Sequence, residues 1–292
     1  PASRPAPLSG LLTARDDAPI VVLVPGFLTE ENTLLPTAID PTRALDIRAW
    51  EDELKRALPA ALGARVQPFK WGATSIMKLL WEILKPLIGL RADALSALLR
   101  DPATLIKTTT QVKGAWEAAA AEADRSARRL LDELRATRAA HPRAPIYLIG
   151  HSLGGRMALR ACALMAEEGA PVPNLHVSAW ASALDTREVP WEALARLPSP
   201  PEVVHSAHDL VLKVIFRLAT ASLTGMPMID MITLTAALAK GPDAAGLVGP
   251  PAGRYPAELG LDLSARAIGH LAYISEMPTV FQQSARLRPL AG

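Results

Sequence analysis

The chain has 292 residues, half of them apolar and 21% charged, which is enough apolar surface for a full core and fits one α/β domain over residues 1–292 better than two independent ones. Its net charge is only +2, with a sequence pI near 8.9, and basic residues alternate with acidic ones, so a dedicated nucleic-acid surface is excluded from the expectations. A single cysteine, Cys162, rules out an intramolecular disulfide and reads as a packed thiol. No run of about 20 uncharged apolar residues suggests a membrane span. The opening Pro1 to Pro7 is proline-rich and without an initiator Met; no secretory signal is expected there, a trimmed leader is left open, and a cytoplasmic location stands as the default.

The first strand is expected at Pro19 to Val24, a β-branched run bounded by Pro-Gly, as in a parallel strand buried on both faces. Asp40-Pro41 then supplies an N-cap and a first-turn proline, and Leu45, Trp50, Leu54 and Leu58 give a helical apolar face that ends at Pro59. Ala64 to Phe69 predicts a second strand, at an edge. A long helical region from Thr74 to about Ala140 follows, interrupted near Pro86 to Arg91 and restarted by Asp101-Pro102. Residues 74–120 of it are expected to be an insertion or lid. Within its later part, Arg125, Arg128, Arg129, Arg135 and Arg138 alternate with Glu122, Asp124, Asp132 and Glu133, the pattern of a solvated helix with i to i+4 pairs.

Ile146 to Ile149 is a short apolar run that ends in Gly150-His151-Ser152-Leu153-Gly154 and continues into helix-like sequence through Met157, Leu159, Ala161, Cys162, Leu164 and Met165. That is the context of a nucleophile elbow, a sharp strand-to-helix turn in which the glycines leave room for neighbouring backbone to close around an exposed serine. Gly169 to Pro173 ends the helix, and strands are expected at Asn174 to Ala181 and Glu202 to Ser206. Asp209 follows, then apolar helical stretches through Leu223 and across Met226 to Ala239, a Gly/Pro-rich loop, and a last strand near Leu259 to Leu263. Strands alternating with helices predict a mainly parallel, doubly wound sheet whose ligands sit at the carboxyl ends of the strands.

A serine hydroxyl is a weak nucleophile at neutral pH. It needs an imidazole to take its proton and a carboxylate to hold that imidazole's tautomer. Ser152, Asp209 and His270 occur in the order nucleophile, acid, histidine, which is the order of the α/β-hydrolase fold. Of six histidines, His141 ends a helix, His151 lies inside the elbow, His176 inside a strand, and His205 and His208 beside the acid; only His270 follows the last strand, in a loop opened by Gly269 and leading into an apolar helix. His205 or His208 is the fallback base. Asp185, after the preceding strand, is the alternative acid, and Asp209 is also expected to N-cap the helix beginning at Leu210. An oxyanion hole would use the N–H groups of Leu153 and of Phe27, in Val24-Pro25-Gly26-Phe27-Leu28, unless that segment is a plain turn. Leu28 and His151, flanking those donors, are expected on the substrate side. The chemistry calls for no metal and no cofactor.

Several segments together resemble α/β hydrolases grouped with the transmembrane and coiled-coil domain proteins: Phe69-Lys70-Trp71, Gly150-His151-Ser152-Leu153-Gly154-Gly155-Arg156, His205-Ser206-Ala207-His208-Asp209-Leu210-Val211-Leu212, and Gly269-His270-Leu271-Ala272-Tyr273. The resemblance spans roughly Ala64 to Tyr273. It implies a serine-hydrolase-like fold with Ser152 as nucleophile, Asp209 as acid and His270 as base, and no established substrate.

Ile76, Leu79, Leu80, Ile83, Leu84 and Leu87 recur at helical spacing opposite Lys78, Glu82 and Lys85. This amphipathic stretch reads either as a covering helix packed on the core or as a lid touching a membrane surface through residues 74–90. The reading that gathers these features is a serine hydrolase cleaving carboxylic esters, of hydrophobic or lipid-like acyl groups, through an acyl-enzyme. Thioesterase, amidase or acyltransferase action with the same residues, or a silent hydrolase-fold scaffold, are the alternatives.

Overall fold

The computed structural model describes residues 17–26, 47–72, 102–220 and 241–291. In chain order these form β1 (Ile20–Val24), α1 (Ile47–Ala57), β2 (Arg65–Pro68), α2 (Pro102–Ala140), β3 (Ile146–His151), α3 (Leu153–Glu168), β4 (Leu175–Trp180), α4 (Trp191–Ala195), β5 (Glu202–His205), a π-helical turn (Val211–Phe216) running into α5 (Arg217–Thr220), α6 (Ala245–Val248), β6 (Gly260–Asp262) and α7 (Met277–Gln283). The strands make one six-stranded sheet in the order β2-β1-β3-β4-β5-β6, every neighbouring pair parallel. All six expected strands are present, and β2 takes the expected edge position.

The pattern of burial explains the composition of the strands. β1 and β3 are buried at every residue, since each has a strand on either side and helices on both faces. Edge strand β2 keeps partial exposure throughout. The chain leaves β1 toward β2 on one side and later returns to place β3 on the other, so the sheet reverses direction between β1 and β3. Ligands of open α/β sheets bind at such a switch point, outside the carboxyl ends of the strands. Val24, Pro25 and Gly26 end β1 there, and His151 and Ser152 end β3.

α3 is buried on nearly all sides because the sheet covers one face and α2 another. The closeness of α2 follows from a stripe of small residues: Ala119, Ala123 and Ala127 recur every fourth position and are fully buried, with Leu130, Leu131 and Leu134 continuing the face. Cys162 of α3 is a packed thiol, its pKa pushed up to about 12 by burial.

The charges of α2 depart from the expected self-pairing. Arg125 does reach Glu122 at 2.7 Å, but Arg128 and Arg135 both grip Glu168 of α3, Arg129 donates to the Lys70 carbonyl at 2.7 Å, and Asp124 receives Arg156 of α3 at 2.7 Å. The physical reason is proximity: a helix laid along α3 finds partners there, and these span elements instead of one face. Two further differences concern the segments flanking the site. The stretch after Asp209 winds first as the wider π-helical turn, and the residues after His270 form turns until α7 begins at Met277.

The amphipathic stretch at 76–87, the membrane contact read at 74–90, the apolar helical stretch read at 226–239, and the residues Phe27 and Leu28 lie outside the described residues. Of the insertion read at 74–120, the described part is the beginning of α2. Among the described residues no helix is long and apolar enough to cross a membrane.

Candidate active site

Ser152 is the single residue between β3 and α3, and it adopts φ 57° and ψ −118°, a conformation that costs a non-glycine residue on the order of 1–3 kcal/mol. Fixed hydrogen bonds on both sides of it hold that strain: its N–H donates to the Trp180 carbonyl at 2.9 Å, while its carbonyl accepts from Arg156 N–H at 3.0 Å and Ala183 N–H at 3.1 Å. Space around the turn is as tight as the sequence suggests. A Cβ on Gly154 would lie 1.9 Å from the Val24 carbonyl oxygen, and one on Gly26 would lie 2.5 Å from the Ser152 Cβ. The end of β1 is therefore pressed directly against the elbow, which only glycine at these two positions allows.

His270 comes to the elbow from the far side of the sheet, beyond β6. Its Nε2 lies 3.0 Å from Ser152 Oγ and its Nδ1 lies 2.7 Å from Asp209 Oδ2. Asp209 follows β5 and is wholly buried, as is Ser152, and His270 is 3% exposed. The second carboxylate oxygen of Asp209 accepts the Leu212 N–H at 2.9 Å, so one oxygen serves the imidazole and the other caps the following turn. With a carboxylate on Nδ1, that nitrogen carries the proton and Nε2 presents its lone pair to the serine hydroxyl. Such a relay can draw a proton from Ser152 and return it to a leaving group.

The alternatives are occupied elsewhere. Asp185 is clamped by Arg187, with its carboxylate 2.7 Å from the guanidinium, and caps the short turn at Thr186–Glu188. His205 is 3.8 Å from Asp262, His208 is exposed, His176 stacks on Tyr147 with ring centroids 4.9 Å apart, and His141 faces Arg65. None of these meets Ser152 in a described hydrogen bond.

Leu153 opens α3, and among the described residues its N–H has no acceptor, as befits the first turn of a helix whose dipole favours negative charge. Phe27 and Leu28 lie outside the described residues, although the adjoining Gly26 touches the elbow. His151, expected on the substrate side, is buried beside the elbow. Its ring is 3% exposed and packed against Trp50 at 4.9 Å and Tyr273 at 5.6 Å, and its Nε2 donates to the His270 carbonyl at 2.9 Å. Gly269 also proves dispensable for space, since a Cβ there would meet nothing; the left-handed position in this loop is Ala267, at φ 52°.

One contributor had a signal in the sequence but no assigned role. Trp71, in the Phe69-Lys70-Trp71 segment, donates its indole N–H to the Pro25 carbonyl at 2.9 Å and so ties the loop after β1. Tyr273 is a second: fully buried, its phenol stays protonated because burial and the nearby carboxylates of Asp209 and Asp262 disfavour the anion. Among the described residues no cluster of histidine, cysteine and carboxylate side chains is suited to hold a metal ion.

Comparison with known families gives a match to the model of the Thioesterase domain over residues 93–209, less than half of the 292-residue chain. The matched stretch contains the elbow and ends on Asp209. No curated protein and no solved structure gives a match. Thioesterase domains of this kind are α/β hydrolases, and the six parallel strands with their flanking helices agree with that fold. The chain has an α/β-hydrolase fold, and the match supports hydrolysis of esters or thioesters at the coarse level.

Proposed function

We propose that the protein is a serine hydrolase that cleaves an ester or thioester through an acyl-enzyme on Ser152, with His270 as general base and acid and Asp209 as the carboxylate that orients it. The observation that carries this reading is the unbroken relay Asp209 Oδ2 to His270 Nδ1 at 2.7 Å and His270 Nε2 to Ser152 Oγ at 3.0 Å, set on a strained strand-to-helix turn. His270 takes the Ser152 proton as the oxygen attacks the substrate carbonyl, and Asp209 stabilises the imidazolium that forms. The oxyanion is received by the Leu153 N–H and, in the same reading, by that of Phe27. His270 Nε2–H then protonates the departing alkoxide or thiolate, and a water deprotonated by the same nitrogen releases the acid.

Two of the segments that resemble the transmembrane and coiled-coil domain hydrolases carry Asp209 and His270, which fits the same assignment. The substrate class proposed is a hydrophobic, lipid-like acyl group, on the apolar residues that follow Ser152 and Asp209 in the sequence, Leu153 and the stretch at 210–216. A thioester is favoured as the alternative bond by the thioesterase-domain match. The test pairs an acyl-CoA with the p-nitrophenyl ester of the same acyl chain. Both turnovers should fall at least about 10³-fold in Ser152→Ala, and a fluorophosphonate should label the wild type and not the variant. Undiminished turnover in Ser152→Ala would remove the assignment.

A further inference from the structure

His270 belongs to neither a strand nor a helix. It sits in the run of turns between β6 and α7, stitched by short-range bonds such as Ala267 N–H to Ser264 carbonyl at 2.9 Å and Ala272 N–H to Gly269 carbonyl at 3.0 Å. Loops of this kind are the mobile part of a fold unless something ties them to it. The tie is His151. From the last residue of β3, one position before Ser152, its Nε2–H reaches the main-chain carbonyl of His270 at 2.9 Å.

The surroundings suit a fixed neutral donor. Trp50, His270 and Tyr273 pack around the His151 ring at centroid distances of 4.9, 4.8 and 5.6 Å. The titratable groups facing it are the His270 imidazole, itself bonded to Asp209, and the protonated phenol of Tyr273. Burial, and then the adjacent His270, hold His151 well below the usual histidine range, so it is uncharged in the folded protein. A cation there would oppose the imidazolium that His270 must become. A substrate contact, by comparison, would need an accessible ring and a free Nε2.

We propose that His151 is the positioning residue of the base: its neutral Nε2–H fixes the His270 main chain to the strand end that carries Ser152, so that one dipeptide sets both partners of the proton transfer. This rests on the reading of Ser152 and His270 as nucleophile and base. Its force comes from tolerance, since misplacement of reacting groups by about 1 Å costs on the order of 10²-fold in rate.

The experiment compares His151→Gln, whose amide nitrogen reaches about as far as Nε2 and is uncharged, with His151→Asn, which is too short, and His151→Met, which fills the space without a donor. All are assayed below their melting temperatures on the p-nitrophenyl ester. The expected result is a kcat within a few-fold of wild type for Gln, and a kcat lower by about 10- to 100-fold at unchanged KM for Asn and Met, with fluorophosphonate labelling of Ser152 slowed in parallel. Should the Met variant fail to fold, the Gln and Asn pair decides alone. Wild-type kcat in Asn or Met, a Gln variant as impaired as they are, or a raised KM at unchanged kcat would overturn the proposal. Ser152→Ala separates the two readings: undiminished turnover there removes the hydrolase assignment, whereas an inactive Ser152→Ala beside fully active His151 variants removes only the positioning role.

Discussion

Glu202 and Asp209 are both shut off from solvent, one at the first residue of β5 and the other four residues past its last. Glu202 is met by donors that are fixed: Ser178 Oγ at 2.7 Å, Ala285 N–H at 2.7 Å and the Ser284 hydroxyl. Through them it binds the C-terminal segment to the middle of β4 and the start of β5. Asp209 has one fixed donor, the Leu212 N–H, and gives its other oxygen to His270, a group that can gain and lose a proton. Both carboxylates offset the cost of burial with hydrogen bonds. The difference lies in the partner: hydroxyls and amides make a buried carboxylate an anchor, and an imidazole makes it part of a relay.

The largest expected effect breaks the relay side of this contrast. Asp209→Asn keeps the shape and can still accept from Leu212 N–H, but an amide can present its NH₂ to His270 Nδ1 and stabilise the wrong tautomer. kcat should fall on the order of 10³- to 10⁴-fold, with a melting temperature close to wild type. An Asn variant with near-normal kcat would mean that Asp209 is an anchor like Glu202. The anchor side is tested by Glu202→Gln, which forces an amide N–H against donors that want an acceptor. A loss of about 2–4 kcal/mol in unfolding free energy is expected from denaturant titration, with kcat of the folded enzyme retained. A large kcat loss at unchanged stability would erase the distinction.

How much of this the sequence discloses depends on whether a residue's role is local. Ser152 was legible because strand, turn and helix signals surround it within a few positions, and Asp209 and His270 because each follows a β-like run in a fixed chain order. The central strands β1 and β3 are legible because parallel strands buried on both faces read as continuous apolar runs. Long-range pairing was not. Glu202 read only as the start of a strand, since Ser178 and Ser284 lie 24 and 82 positions away. The bond of His151 is equally hidden, because its partner is a backbone carbonyl 119 positions on, and backbone atoms leave no mark in composition. The charges of α2 look self-paired for a like reason: an i to i+4 pattern is visible in one helix, whereas Arg135 finds Glu168, and Asp124 finds Arg156, only once α2 lies along α3.

The smallest expected effect sharpens the contrast from the side of acid stability. His151, His205 and His176 are all held below the usual histidine range, in each case first by burial. Above pH about 6.5 these residues are neutral whether the chain is folded or not, so they leave stability unchanged. Below it the unfolded chain takes up protons that the folded state refuses, and stability falls as the pH falls. One such group contributes a slope of at most about 1.4 kcal/mol per pH unit. The lowered carboxylates, Asp185 and Asp262 among them, act in a separate window, because their folded stability persists until the pH drops below about 4. His151→Gln removes one of the three histidines, the one that touches the relay, without removing its hydrogen-bond donor. Melting temperatures recorded from pH 7.5 to 5 should therefore decline less steeply in His151→Gln than in the wild type, while the decline below pH 4 stays the same. Superimposable curves over the upper range would mean that folded His151 takes up its proton together with the unfolded chain, and a His151 charged beside His270 there would contradict the neutral donor assigned to it.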